Sequence, residues 1–357
     1  MSRSAEQEVW EVETKWYKDW VETNIPDLSG KVAIVTGANS GIGFWVTFAL
    51  ASKGCEVILA CRDIEKGAAA RNAILEMHNE AKGRDDPLLD LRERKEVKIH
   101  AMLLDLMDFE SVKAFCTEFT EQYDFLDYLV NNAGVMALPE EKSVDGFDIQ
   151  MQTNHLGHFL LTKLLWQRLV ESPGRSRVVQ HSCMAHSVNN PKFDSDKYPH
   201  YGGGFNIFGR MLGNIYGYRP FDQWMRYGVT KLANLLFMRE LQRKIDEKAL
   251  TETIISVAAH GGLAATNLQI SSQDHLPRNW KRNISKQGQS AADGSLPLLM
   301  AICGENIQNG DFVGPGGTRE LTGPPQKTKT NGHSDNEEQA EDLWDYSEDC
   351  VKEAFNV

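Results

Sequence analysis

Apolar residues in this chain arrive in short solid runs separated by longer stretches of helical period. Val32 to Thr36, Glu56 to Cys61, Val97 to Leu104, Leu126 to Val130, Arg177 to His181 and Thr253 to Ala259 read as strands. Between them, residues 42–53, 63–78, 108–123, 144–171 and 224–246 carry the three-or-four spacing of helices, and Gly54 supplies a helix cap. The strands are apolar throughout rather than alternating, so both faces of the sheet are covered. Repeated strand-helix alternation of this kind predicts an α/β fold with a doubly wound parallel sheet.

The ends and two interior stretches depart from the pattern. Residues 4–21 predict an amphipathic helix, with Ser4 and Gln7 as a capping box and Val9, Val12, Trp16 and Trp20 on one side. Pro26 breaks the chain, and Asp27 to Gly30 turns into the first strand. Residues 80–96 are polar, contain Pro87 and read as a surface insertion. Residues 196–223 form a second insertion rich in aromatic residues. Residues 322–339 read as a flexible linker. Beyond it Ser334 and Glu337 would cap a final helix, with Ala340, Leu343, Trp344, Ser347, Val351 and Ala354 sharing one face. The expected layout is a helical arm over 1–27, a main domain over 28–322, and a linker with terminal helix over 323–357.

Composition narrows the function classes. At 357 residues the chain can bury a sizeable core. Its net charge of −12 opposes nucleic-acid binding, and the one basic cluster, Arg92 to Lys98, is interrupted by Glu93 and Glu96. The six cysteines form no C-x-x-C pair, which argues against zinc and a disulfide framework and for a reducing, intracellular, cytoplasmic setting. The acidic, Trp-rich start is not a signal or transit peptide. No apolar run reaches the ~18 residues of a membrane span.

Chemistry first shows itself at Thr36-Gly-Ala-Asn-Ser-Gly-Ile-Gly43, which follows a buried strand and opens a helix. There Gly37 permits a tight turn, Gly41 lets backbone approach a pyrophosphate, and Gly43 lets helix and strand pack closely. The helix start attracts phosphates. Farther on come Asp105-Leu106 after the third strand, Asn131-Asn-Ala-Gly134 after the fourth, Asn154 in the next helix, Tyr227-Gly-Val-Thr-Lys231, and His260-Gly-Gly-Leu-Ala-Ala-Thr266. Tyr227 and Lys231, four residues apart, share a helix face, where an ammonium lowers a phenol's pKa.

These motifs, in this order, resemble the short-chain dehydrogenase/reductase family over residues 20–322. The opening and Leu343 to Glu348 also look like its retinol dehydrogenase and protochlorophyllide reductase branch. The resemblance implies a Rossmann fold and an oxidoreductase that interconverts a small-molecule carbonyl and alcohol. Tyr227 would be the general acid/base, Lys231 would hold the ribose and assist it, and Asn154 would hold a proton-passing water. Gly37, Asn39, Ser40, Gly41, Ile42, Gly43, Asp105, Leu106, Asn132, Ala133, Gly134, Tyr227, Lys231, Gly262 and Thr266 would line the dinucleotide. Family members often form homodimers through their two central long helices. Arg62 follows Cys61, where relatives that use NAD carry an acid, and an arginine there suits the 2′-phosphate of NADP(H).

Two positions depart from the family's pattern. Its active-site serine aligns with Cys183, so either the thiol substitutes, or neighbouring Ser182 takes the role, or the step is weakened. Gly261 replaces a proline, which predicts a looser loop. These departures support a second reading, a non-catalytic NADP(H)-binding sensor or scaffold. The aromatic stretch 196–223 either lines a pocket for a bulky apolar substrate or packs over the core.

Overall fold

The structure is a computed structural model that describes residues 12–83, 96–188, 190–195, 220–266, 268, 280–330 and 332–357. The expected helix start at Ser4 and most of the two insertions lie outside these residues.

Eight strands form one sheet in the order β3-β2-β1-β4-β5-β6-β7-β8. They are β1 (Val32–Thr36), β2 (Glu56–Cys61), β3 (Ile99–Leu103), β4 (Tyr128–Asn131), β5 (Ser176–His181), β6 (Ile254–Ala259), β7 (Phe312–Pro315) and β8 (Pro325–Thr328). The first seven are parallel, and β8 runs antiparallel to β7. Strand order reverses between β1 and β4, which opens a crevice at their carboxyl ends.

On one face lie α1 (Tyr17–Asn24), α2 (Gly41–Ser52), α3 (Ile64–Gly83) and, later in the chain, α10 (Ala291–Cys303). Their apolar side chains meet Ala33, Val35, Val57 and Val257 from the sheet. The other face is covered by α4 (Phe109–Gln122), a helical run through residues 149–170, and α8 (Pro220–Glu247). That run comprises α5 (Ile149–Met151), a π-helical turn (Gln152–Leu156), α6 (Gly157–Leu164) and α7 (Trp166–Val170). The short helix α9 is Trp280–Gln287 and the terminal one, α11, is Glu337–Val351.

Several expectations change. The long helix begins at Ile149, after Asp148 accepts from the Gln150 and Met151 amides, and is not continuous. The first helix starts at Tyr17 rather than running through residues 12–16. It is fixed by tertiary contact: the buried Asp293 carboxylate accepts from the Lys15, Trp16 and Tyr17 amides at 2.8–2.9 Å. Tyr17 and Val21 supply its buried side, while Trp16 and Trp20 are half-buried. The predicted linker is not one, because residues 325–328 pair with β7 as an edge strand. Asn336, not Ser334, caps α11 through the Gln339 amide. The buried face of α11 is Ala340, Leu343, Trp344, Ser347 and Val351, but Ala354 is exposed beyond its end and Phe355 is buried instead.

α11 lies against α8 and against Phe159 of α6, where the Trp344 ring is 5.2 Å from the Phe159 ring. The helix α11 therefore covers part of α8 and of the helical run through residues 149–170.

Candidate active site

The turn after β1 is built by glycine geometry. Gly37 and Gly41 have left-handed backbones, φ 63° and 57°. A Cβ on Gly37 would lie 2.9 Å from Ala133 Cα, and one on Gly41 3.3 Å from Thr266 Cβ. Gly43 is tighter still, with Asn132 Nδ2 and Gly37 O at 2.5 and 2.6 Å from the position of a Cβ. Ser40 stands at the start of α2, its side chain making no cap bond to the first-turn amides. Backbone is thus free to meet a ligand at the positive end of a helix, a cradle that suits a pyrophosphate. Ile42 packs beneath it, and Asn39 completes the turn.

One hydroxyl joins this turn to the end of β4. Thr36 Oγ1 accepts from the Asn132 and Ala133 amides, both at 2.9 Å, and lies 2.9 Å from His158 Nε2. The Asn132 side-chain Nδ2 donates to Thr36 O at 2.7 Å. Gly134 leaves room beside two expected site residues, since a Cβ there would sit 3.1 Å from Asn154 Oδ1 and 3.4 Å from Lys231 Nζ.

Asn154, fully buried in the π-helical turn, is held by three bonds. It accepts from the Val135 amide (2.8 Å) and donates to Val135 O (2.9 Å) and Thr230 Oγ1 (2.9 Å). Lys231 donates to His181 O at 3.0 Å, and its Nζ is 5.8 Å from the Tyr227 ring centre. Burial lowers the Lys231 ammonium and, with Cys183 beside it, pushes the Tyr227 hydroxyl well above the usual phenol range. The sequence argument expected the ammonium to lower Tyr227. Desolvation is the largest influence on this phenol and acts in the opposite direction.

At the end of β5 the two candidate donors separate. Ser182 points into the core and donates to Lys231 O at 2.7 Å, whereas the Cys183 thiol points into the site, 3.4 Å from Tyr227 Oη. Neighbours on an extended backbone face opposite ways, and that alternation sends the two side chains to opposite sides.

The loop after β6 also differs from expectation. Gly261 does not loosen it. A Cβ there would fall 2.5 Å from Ile42 Cδ1 and 2.7 Å from Gly294 O, so the glycine allows α2 and α10 to close on the loop. Gln289 donates to Gly261 O, and Gly262 (φ 61°) packs under Leu321 O. Thr266 closes over Gly41.

On the other side of the crevice, Arg62 is exposed and has no carboxylate partner among the described residues, and it donates to Met107 Sδ at 3.8 Å. Asp63 is turned away, accepting from the Glu65 and Lys66 amides. Asp105 accepts from the Met107 amide, and buried Leu106 packs against Gly157. Sequence reasoning missed Thr36, His158 and Thr230. The i, i+4 spacing of Asn154 and His158 and the place of Thr230 beside Lys231 were available signals.

The chain belongs to the short-chain dehydrogenase/reductase family, and its relatives place it in the retinol dehydrogenase-like branch. The family model described as short chain dehydrogenase matches residues 31–195. Mouse retinol dehydrogenase 12 is 32% identical over 294 residues, covering 82% of this chain and 80% of that protein. Human retinol dehydrogenase 12 is 33% identical, with 80% and 77% covered. A crystal structure of a Mycobacterium paratuberculosis protein superposes with a TM-score of 0.68 at 29% identity, covering 97% of this chain and all of that one. The Pseudomonas aeruginosa RhlG/NADP active-site complex shares the fold, at TM-score 0.54 and 18% identity over 80% and 94% of the chains. The protein is therefore an oxidoreductase of the alcohol/carbonyl class. No helix among the described residues is long and apolar enough to cross a membrane.

Proposed function

We propose that the protein is an NADP(H)-dependent oxidoreductase that interconverts a bulky apolar carbonyl compound and its alcohol, with Tyr227 as proton donor and acceptor. The observation that carries this reading is the buried Tyr227 hydroxyl, 3.4 Å from the Cys183 thiol and on one helix face with Lys231. A phenol kept neutral by burial can give its proton to a carbonyl oxygen as that oxygen gains charge. The Cys183 thiol donates a second, weaker hydrogen bond to the same region. Lys231, fixed by His181 O, favours the phenolate once the proton has left. Asn154 sets the position of the backbone at Val135 beside it.

Bound in the crevice, NADP(H) supplies or accepts hydride at the nicotinamide. Gly37, Asn39, Ser40, Gly41, Ile42 and Gly43 hold its pyrophosphate side, and Arg62 meets the 2′-phosphate. Asp105 and Leu106 flank the adenine side. Asn132, Ala133, Gly134, Lys231, Gly262 and Thr266 line the remainder. Support for an apolar substrate comes from the cluster around Tyr227, in which Met136 and Ala137 are buried and Cys183, Ala185, Trp224 and Leu268 pack against them. A carbonyl approaching Tyr227 there is desolvated, which strengthens each hydrogen bond to it.

The test is turnover of all-trans-retinal with NADPH by the wild type and by Tyr227→Phe. The expected outcome is a loss of roughly 10²–10⁴-fold in rate with little change in NADPH affinity. Retained turnover in the variant refutes the assignment. The sensor reading, motivated by Cys183, instead requires tight NADPH binding and no turnover by the wild type of any aldehyde or ketone in a panel.

A further inference from the structure

A π-helical turn is less stable than the α-helix it interrupts, and persists where outside contacts hold it. Here Gly157 donates to Gln152 O across five residues, and Asn154 lies in the middle. Sliding the turn back to α-helical register by one residue would rotate a side chain by about 100° about the axis and break all three Asn154 bonds. Two histidines clamp it from opposite sides. Inward, the His158 Nδ1–H donates to Asn154 O (3.2 Å), and Nε2 meets Thr36 Oγ1 at the glycine turn. Outward, His155 Nε2 lies 2.7 Å from Ser347 Oγ of α11.

The outward bond has a defined sense. Ser347 Oγ donates its only proton to Leu343 O at 2.6 Å, so the bond to His155 must come from the ring's Nε2–H. His155 Nδ1 is buried and has no hydrogen-bond partner among the described residues, so Ser347 is the one polar anchor of this ring. Burial keeps the ring neutral. The edge of the ring rests on Phe237 of α8, centres 5.7 Å apart, and Trp344 of α11 lies 5.8 Å from the same phenylalanine.

We infer that Ser347, in the C-terminal helix, is a positioning residue of the active site: through His155 it holds the π-helical turn in the register that aims Asn154 at Val135 and Thr230. The catalytic part of this inference rests on the function proposed above, and the positioning part does not. The full-length Ser347→Ala variant leaves the His155 Nε2–H unsatisfied and releases the turn.

The test has two readouts. Hydrogen exchange of the Val135 amide, whose acceptor is Asn154 Oδ1, should quicken by roughly tenfold or more in Ser347→Ala, as expected when a local opening becomes easier. In turnover of all-trans-retinal with NADPH, kcat should fall by roughly tenfold while KM for NADPH stays within about twofold, the split expected of lost alignment. Ser347→Thr, which keeps the hydroxyl, should restore both. Glu353→Gln is the control, since it breaks the Lys163–Glu353 ion pair near the same end of the chain without touching His155. It should leave both readouts unchanged. Val135 exchange unaltered in Ser347→Ala, or equal losses in Ser347→Ala and Glu353→Gln, would overturn the inference. A wild type inactive on retinal and a wider carbonyl panel would count against the proposed function, while Val135 exchange would still decide the positioning role.

Discussion

Replacing Gly43 by alanine tests whether the cradle is as tight as its geometry requires. The added methyl falls 2.5 Å from Asn132 Nδ2 and 2.6 Å from Gly37 O. Apolar heavy atoms pack at about 3.5–4.0 Å, so roughly 1 Å of movement is needed. Neither neighbour yields cheaply. Gly37 O is backbone in a turn anchored by the Gly37 amide to Ala60 O at 2.8 Å, and Asn132 Nδ2 donates to Thr36 O at 2.7 Å while Asn132 Oδ1 lies 2.9 Å from His181 Nδ1. Overpacking of this kind costs about 1–3 kcal/mol. If α2 shifts to relieve it, the first-turn amides leave their place and the whole cost appears in binding, weakening NADPH by roughly 5- to 150-fold. If the fold absorbs it, the cost appears as a lower urea midpoint. Fluorescence titration of NADPH together with urea unfolding captures both. Gly30→Ala is the control: its φ is 81° and no atom lies within 4 Å of the added Cβ, so it pays only a left-handed backbone, about 1–2 kcal/mol of stability, with no effect on affinity. A Gly43→Ala protein with unchanged affinity and unchanged urea midpoint would refute the reasoning, as would Gly30→Ala weakening NADPH equally.

Arg62→Ala should weaken NADPH by roughly 10- to 100-fold and NADH hardly at all, because only the 2′-phosphate pairs with the guanidinium; equal losses for both cofactors in titrations would exclude that contact. Cys183→Ser should raise single-turnover hydride transfer by roughly tenfold, a hydroxyl being the better donor, whereas Ser182→Ala should act mainly on stability; the reverse pattern would give the role to Ser182. The hydrogen bond from His260 holds the Glu320 carboxyl below its usual range. A depressed folded pKa contributes stability above the unfolded value, so the advantage of wild type over Glu320→Gln should be complete above about pH 5 and vanish as pH falls through the lower folded value; urea midpoints from pH 7 to pH 4 check the sign. With α11 lying over α8 and α6, the chain should sediment as a monomer, and a stable dimer formed through those helices with α11 in place would contradict the packing described.

The solid apolar strands and the glycine string made the sheet and its crevice legible, because strand burial and positive φ are properties of local sequence. Tyr227, Lys231, Asn154 and Gly134 come together as their motifs suggest. The π-helical turn was not legible: Gln-Thr-Asn-His-Leu carries no local instruction for a five-residue closure, which depends on Ser347, 192 residues away from His155. β8 was hidden for a similar reason. Pro325 to Thr328 has half-exposed or exposed side chains and the composition of a linker, and only its register with β7 makes it a strand. The opposite orientations of Cys183 and Ser182 needed side-chain direction at a strand end, and the phenol's upward shift at Tyr227 needed its burial.

The contact of Asp293 with the backbone of Lys15, Trp16 and Tyr17 spans up to 278 residues. During synthesis residues 15–17 leave the ribosome long before their carboxylate anchor exists. α1 buries only Tyr17 and Val21, and a helix of eight residues is not stable alone in water. The first described helix is therefore among the last elements to be secured, after the sheet has reached β6 and α10 has formed. Nascent chains stopped short of Asp293 should expose Tyr17 and Val21 to chaperones and proteases, an exposure that lasts at least until Asp293 has emerged.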